Sequence, residues 1–142
     1  MVKLLIGRKG SGKTKHMIDM ANASLEQVNG SVVFINKTSR LTYDLKYRIR
    51  NVCMEDFAAI TNTDEYIGFL YGILSQDHDI ELVFIDSIMQ HSDVKVSDLE
   101  GFLARLEEIS TKFGPKFVVS LSIDKSELGD YINKYEIEDI KA

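Results

Sequence analysis

The sequence predicts a three-layer α/β/α domain with a mostly parallel sheet of about five strands. Short apolar segments of strand length alternate with longer segments of helical periodicity. The strand-like segments are apolar throughout, as expected for strands covered on both faces. Glycine or polar residues separate the two kinds of segment. In such a sheet a ligand binds at the carboxyl ends of the strands.

Composition indicates one compact domain over residues 1–142. The chain is 44% hydrophobic and 27% charged with one proline, which excludes a disordered or fibrous protein. The net charge of -5 disfavours nucleic-acid binding. Cys53 is the one cysteine, so no internal disulfide forms, and no leader or long apolar run is visible. We therefore expect a cytoplasmic protein without membrane insertion.

Five strands and three main helices follow from the pattern. The predicted strands are residues 2–6, 31–36, 52–54, 80–87 and 116–124. The first helix follows a glycine-rich loop and carries apolar residues from Met17 to Val28, ending near Asn29. A helical turn is predicted near Leu41 to Tyr47, and a helical turn and an edge segment after residue 124.

The two later helices have sequence signals at their ends. Thr63 is the predicted N-cap of the second. Ser97 and Glu100 form a predicted capping box for the third, which ends at Gly114-Pro115. The predicted buried stripes are Ile67, Leu70, Tyr71 and Leu74 in the second helix, and Leu99, Phe102, Leu103, Leu106, Ile109 and Phe113 in the third.

The loop "GRKGSGKT" matches the P-loop, or Walker A, pattern G-x-x-x-x-G-K-[ST] between a strand and a helix. Glycines allow successive backbone N–H groups to point at one anion, and the following helix adds its positive end. Lys13 supplies a charge to the β- and γ-phosphates, and the Thr14 hydroxyl suits Mg²⁺. The predicted nucleotide-binding residues are Gly7, Arg8, Lys9, Gly10, Ser11, Gly12, Lys13, Thr14 and Lys15.

Asp86 ends the apolar run "LVFI" and matches a Walker B aspartate. We expect it on the strand beside the first, where it and Thr14 form the magnesium site. Lys13 and Asp86 are the predicted catalytic residues, with Glu55 as a further candidate.

With these motifs in place, the chain resembles the RecA-like ATPases, whose Walker B also reads hydrophobic-Asp-Ser as in "FIDS". The resemblance implies the strand order 5-1-4-3-2. It also implies a water-polarising glutamate after Walker B or at the end of the second strand, where this chain has Ser87 and Asn36. Glu55 or Asp56 is a substitute candidate, and Ser122 or Asp124 a candidate γ-phosphate sensor.

The stretches "GRKGSGKTK", "VVFI", "LTYDLKYRIR", "YIGFLYGI" and "FIDS" also resemble a group of short P-loop proteins of Gram-positive bacteria. These proteins are sometimes labelled twitching-motility ATPases.

The sequence thus predicts an Mg-ATP-binding protein with slow or partner-stimulated ATPase activity. One alternative is a non-hydrolysing switch, read by a protein partner or by a second copy that receives an arginine from Arg40, Arg48 or Arg50. Another alternative is a small-molecule kinase, although no arginine-bearing lid follows Asp86. GTPase motifs are missing after Asp86 and Asp124.

Overall fold

The computed structural model describes residues 1–38, 44–91 and 93–141. Within them, six strands form one fully parallel sheet. The strands are β1 (Val2–Gly7), β2 (Ser31–Asn36), β3 (Ile49–Cys53), β4 (Ile80–Ile85), β5 (Lys116–Ser122) and β6 (Glu136–Asp139). The helices are α1 (Lys13–Ser24), α2 (Thr63–Gln76) and α3 (Leu99–Phe113).

Helices cover both faces of the sheet and bury two hydrophobic clusters. On one face, α1 packs with Leu5, Phe34, Phe84 and Val118 of the sheet. On the other face, α2 and α3 cover the alternate strand residues, among them Ile35, Ile85 and Val119. Side chains along a strand alternate between faces, so a strand buried on both is apolar throughout. The predicted three-layer fold class is confirmed.

The strands lie in the order β3-β2-β4-β5-β1-β6. The five strands predicted from the sequence therefore lie in the order 3-2-4-5-1 and not in the predicted order 5-1-4-3-2. The predicted order is obtained only if β3 is left out and β6 is counted as the fifth strand. The prediction that the Asp86 strand pairs with the first strand is wrong, because β5 lies between β4 and β1. The inner five residues of β5 are all buried, as a central position requires.

The third strand begins earlier than predicted, at Ile49 instead of residue 52. It pairs only with β2, from Val32 opposite Ile49 to Asn36 opposite Cys53. An edge strand tolerates the polar residues Arg50 and Asn51, which is why the apolar pattern missed its start.

Three predicted helix ends differ in the structure. Helix α1 ends at Ser24, whose hydroxyl donates to the Ala21 carbonyl, instead of near Asn29. The N-cap of α2 is Asn62, because this extended residue accepts the Glu65 N–H at 2.9 Å and Thr63 is already helical. The Ser97–Glu100 capping box does not form, because Asp98 instead accepts the Lys95 N–H at 2.8 Å in a preceding 3₁₀ turn.

Other details follow the sequence more closely. Helix α3 ends at Gly114, where φ is +101°. Tyr71 and Phe113 are exposed, however, and contact each other instead of the core, whereas Tyr66 is buried. The predicted turn near Leu41 to Tyr47 falls partly outside the described residues, as does Arg40. In the described ranges, no helix is long and apolar enough to cross a bilayer.

Candidate functional site

The glycine loop joins β1 to α1, and its glycines have separate structural reasons. Gly10 and Gly12 have φ of +84° and +92°, which side-chain-bearing residues rarely adopt. A Cβ on Gly7 would lie 2.5 Å from the Ile140 carbonyl oxygen and 2.6 Å from Ser11 Oγ. The loop therefore packs closely against the segment that follows β6.

Lys13 folds back into this loop. Its ammonium donates to the carbonyl oxygens of Gly7 and Arg8, both at 2.8 Å, and to Ser11 Oγ at 3.3 Å. Only 5% of the residue is exposed. Burial lowers the pKa of Lys13 below its ordinary value, and the nearby carboxylate of Asp86 partly opposes this. A buried cation in the mouth of the loop suits an anion that enters there.

Asp86 connects the loop to the ends of two strands. Its Oδ2 accepts the Thr14 hydroxyl at 2.9 Å, and its Oδ1 accepts the Ser120 hydroxyl at 2.5 Å. Ser120 Oγ in turn accepts the Ser87 N–H at 3.2 Å. Asp86 and Ser120 are 5% and 2% exposed. Both carboxylate oxygens are thus held in fixed directions before any ligand binds.

Ser87 has a left-handed backbone, with φ 66° and ψ 33°. It is the one residue other than glycine with positive φ in the described ranges. Such a conformation costs about 1–3 kcal/mol and is often found at functional sites. Here it turns the chain sharply after Asp86 into a short 3₁₀ helix, Ile88–Gln90.

These groups line a cleft of about 310 Å³, here called the nucleotide cleft. Its lining residues are Lys9, Gly10, Gly12, Lys13, Thr14, Asp86, Ser87, Gln90 and Ser122. Asp86 is the only carboxylate among them. Gln90 could not be predicted from the sequence, because a glutamine in a short 3₁₀ helix carries no local signal.

Arg8, Ser11 and Asp124 line an adjoining cleft of about 470 Å³ on the other side of the loop, here called the loop-side cleft. Arg8 is largely exposed and lies 3.7 Å from Asp124. Glu55 lines a third cleft and not the nucleotide cleft. Lys15 lines neither cleft that borders the loop.

Asn36 ends β2, where the resemblance implies a glutamate. It is 4% exposed, and its Oδ1 accepts the Lys37 N–H at 2.6 Å. Its Nδ2 has no hydrogen-bond partner among the described residues. A buried, unpaired donor at the carboxyl end of a strand is costly and calls for an explanation by function.

The donor set fits Mg²⁺. Thr14 and Asp86 present two oxygen atoms side by side, and oxygen is the ligand that Mg²⁺ prefers. In the described ranges, no group of three or more His, Cys, Asp or Glu side chains could hold a metal. A cation bound here would take its other ligands from phosphate oxygens and water, which is common for Mg²⁺.

Comparison with solved structures identifies the fold. A KaiC-like protein of the hyperthermophilic archaeon Pyrococcus horikoshii superposes with a TM-score of 0.64 at 16% identity. The alignment covers 97% of this chain and 70% of that one. The chain has a RecA-like fold. No family model and no curated protein matches the sequence, so the resemblance to the Gram-positive proteins stays a prediction.

Proposed function

We propose that this protein binds Mg-ATP at the nucleotide cleft and hydrolyses it slowly or when a partner stimulates it. The observation that carries the proposal is the 2.9 Å hydrogen bond between Thr14 and Asp86, which unites the Walker A and Walker B elements across the sheet edge. The RecA-like fold supports nucleotide binding in general.

In this proposal each residue has a role set by its position. Backbone N–H groups of the loop from Lys9 to Thr14 bind the β- and γ-phosphates. Lys13 exchanges its carbonyl partners for phosphate oxygens. Thr14 and Asp86 hold Mg²⁺, which neutralises charge on the phosphate oxygens. Ser120 orients Asp86 without touching the nucleotide.

The loop-side cleft is suited to the nucleoside. It shares Lys9 and Gly10 with the nucleotide cleft, so a nucleotide can extend from one cleft into the other. Apolar side chains of Ile6, Ile123 and Ile140 line it and offer contact to a base. The carboxylates of Asp124 and Asp139, on the same cleft, can accept hydrogen bonds from ribose hydroxyls.

Slow turnover is supported by the described lining of the nucleotide cleft, in which Asp86 is the one carboxylate. Phosphoryl transfer depends on positioning and electrostatics, but a residue must still orient the attacking water. The Asn36 amide can orient water and cannot accept a proton. The single carboxylate in the described lining also favours the second candidate function, a switch that binds the nucleotide without hydrolysing it.

The arginines proposed for a neighbouring copy are partly engaged. Arg50 donates to Asp77 at 2.9 Å, and Arg48 donates to the Leu25 carbonyl at 3.5 Å. We keep a partner-supplied arginine as part of the proposal.

Three further predictions from the sequence also remain part of it. They are a single domain over residues 1–142, a cytoplasmic location and the resemblance to the Gram-positive P-loop proteins.

Binding and turnover of ATP with Mg²⁺ test the proposal. Lys13→Ala and Asp86→Ala should each weaken binding by about a hundredfold, the effect of losing charge-assisted hydrogen bonds. Lys116→Ala and Asp130→Ala remove the same charges at exposed positions outside these clefts and should leave binding unchanged. Calorimetry gives the affinity, and phosphate release gives the turnover.

The outcomes separate the functions. Turnover that both variants abolish supports the ATPase, and tight binding without turnover supports the switch. If no nucleotide binds, or if the control variants lose as much affinity, the proposal is wrong. Inorganic tripolyphosphate tests the nucleoside contact, because it should bind more weakly than ATP if the loop-side cleft holds the nucleoside.

A further inference from the structure

A third cleft of about 340 Å³ adjoins the nucleotide cleft at the carboxyl ends of β2 and β3, here called the Lys37 cleft. Its lining residues are Lys37, Met54, Glu55, Ala58, Ile60, Thr61, Gln90 and His91. Gln90 lines both this cleft and the nucleotide cleft. The Lys37 cleft therefore lies beside the nucleotide cleft, at the Gln90 side and not the loop side.

Asn36 lines neither of these two clefts, but residues near it along the chain and across the sheet do. On one side it pairs in register with Cys53, which precedes Met54. On the other side, the preceding pair is Ile35 with Ile85, and the Asp86 N–H donates to the Ile35 carbonyl at 2.9 Å. Asn36, whose buried amide nitrogen has no partner among the described residues, thus directly precedes Lys37 and follows the strand pair that leads to Asp86.

Lys37 brings a positive charge to the cleft, whose described lining also carries the carboxylate of Glu55. Lys37 makes no ion pair with a carboxylate of the described residues. It lies near His91, which is 6% exposed and hydrogen-bonded to the backbone of Ile60. Burial, and then the charge of Lys37, lower the pKa of His91, so this imidazole is neutral at pH 7.

The other lining groups suit a small molecule. Met54, Ala58 and Ile60 provide apolar contact, and Met54 is 3% exposed. Gln90 is exposed and offers an amide donor. Glu55 is also exposed and offers a carboxylate acceptor for a hydroxyl or an amine. A volume of this size accommodates a metabolite and not a folded chain.

We propose that the Lys37 cleft binds a small molecule carrying a carboxylate or phosphate group, with Lys37 and Gln90 as donors to that oxyanion. Because Gln90 also lines the nucleotide cleft, this ligand changes the affinity for the bound nucleotide. The coupling rests on the proposed function, whereas the anion site itself does not.

Methyl NMR signals of Met54 and Ile60 test the anion site directly. The protein is first saturated with Mg²⁺ and the non-hydrolysable analogue AMP-PNP, so that added anions do not report on the P-loop. Succinate and inorganic phosphate are then titrated separately. We expect saturable shifts with at least one, and the active probe tells a carboxylate ligand from a phosphate ligand.

Lys37→Gln should weaken this binding about tenfold, the effect of losing one charge-assisted hydrogen bond. Lys46→Gln removes an exposed lysine from the same part of the chain and should have no effect. If neither probe gives saturable shifts, or if Lys37→Gln binds as well as the natural protein, the proposal is wrong.

Two further arms separate the anion site from nucleotide binding. In Lys13→Ala protein without nucleotide, the Met54 and Ile60 shifts should persist, so the site is testable even if ATP does not bind. In the natural protein, the active probe should change the AMP-PNP dissociation constant about fivefold, as is typical of coupled sites. Gln90→Ala should remove that change, and an unchanged dissociation constant in the natural protein would refute the coupling.

Discussion

The nucleotide cleft and the Lys37 cleft lie on the same edge of the sheet but treat their buried polar groups differently. In the first, Thr14 and Ser120 donate to Asp86, and Lys13 donates to loop carbonyl oxygens. By contrast, Asn36 Nδ2 and the hydroxyl of Tyr66, whose ring contacts His91 of the second cleft, have no partner among the described residues, and neither residue lines either cleft. The polar groups of the first cleft are organised in advance, whereas these two buried donors beside the second are unsatisfied.

The largest effect is expected on ATP turnover, when a carboxylate replaces the amide at position 36. Asn36→Glu should raise ATP turnover about tenfold, because a carboxylate orients water and accepts its proton whereas an amide only orients it. Steady-state phosphate release measures the effect.

Asn36→Gln is the matched control, since the glutamine side chain has the same length as glutamate and carries no carboxylate. The idea fails if Gln raises turnover as much as Glu does, or if the Glu variant binds Mg-ATP normally without any gain.

A smaller effect should appear in stability. Ser120→Ala removes a hydroxyl bonded to Asp86 and should lower the free energy of unfolding by about 1 kcal/mol. Tyr66→Phe removes a buried hydroxyl that has no partner, so it should be neutral or stabilising. Urea denaturation measures the free energy of unfolding of both variants. Equal losses in the two variants would contradict the difference between the bonded and the unbonded hydroxyl.

The smallest effect concerns His91 and pH. Its pKa is lowered in the folded protein, so the unfolded chain binds more protons below the ordinary value of 6.5. The stability that His91 contributes is therefore complete above pH 6.5 and is lost as the pH falls towards its folded pKa.

His91→Gln should flatten the fall in unfolding free energy between pH 7.5 and 5.5, measured by urea denaturation. His78→Gln, at an exposed histidine, should not flatten it. An unchanged slope in His91→Gln would show that other groups set the acid response.

The sequence predicted the loop and the fold class because both depend on local patterns. It did not predict that β5 separates β4 from β1, since β4 and β5 are both apolar and the choice of neighbour is set by packing. It named Ser122 or Asp124 as a γ-phosphate sensor, which stays a prediction, and Ser122 lines the nucleotide cleft. It did not predict the contact of Ser120 with Asp86, because the pairing of Ile85 with Val119 fixes which serine lies opposite Asp86. Lys37 and Gln90 are far apart in the sequence and line the same cleft only in the folded protein, so no local pattern indicated that cleft.

The P-loop is encoded near the start of the chain, but its shape depends on a distant segment. Strand β6 pairs with β1 from Lys3 opposite Glu136 to Ile6 opposite Asp139, and the Ile140 N–H donates to the Ile6 carbonyl at 2.8 Å. Contacts between residues so far apart form slowly, because closing a long loop costs chain entropy. A ribosome-bound chain in which β6 is not yet synthesised would carry the glycine loop without the segment that packs against it, and the proposed nucleotide binding would then report the completion of folding.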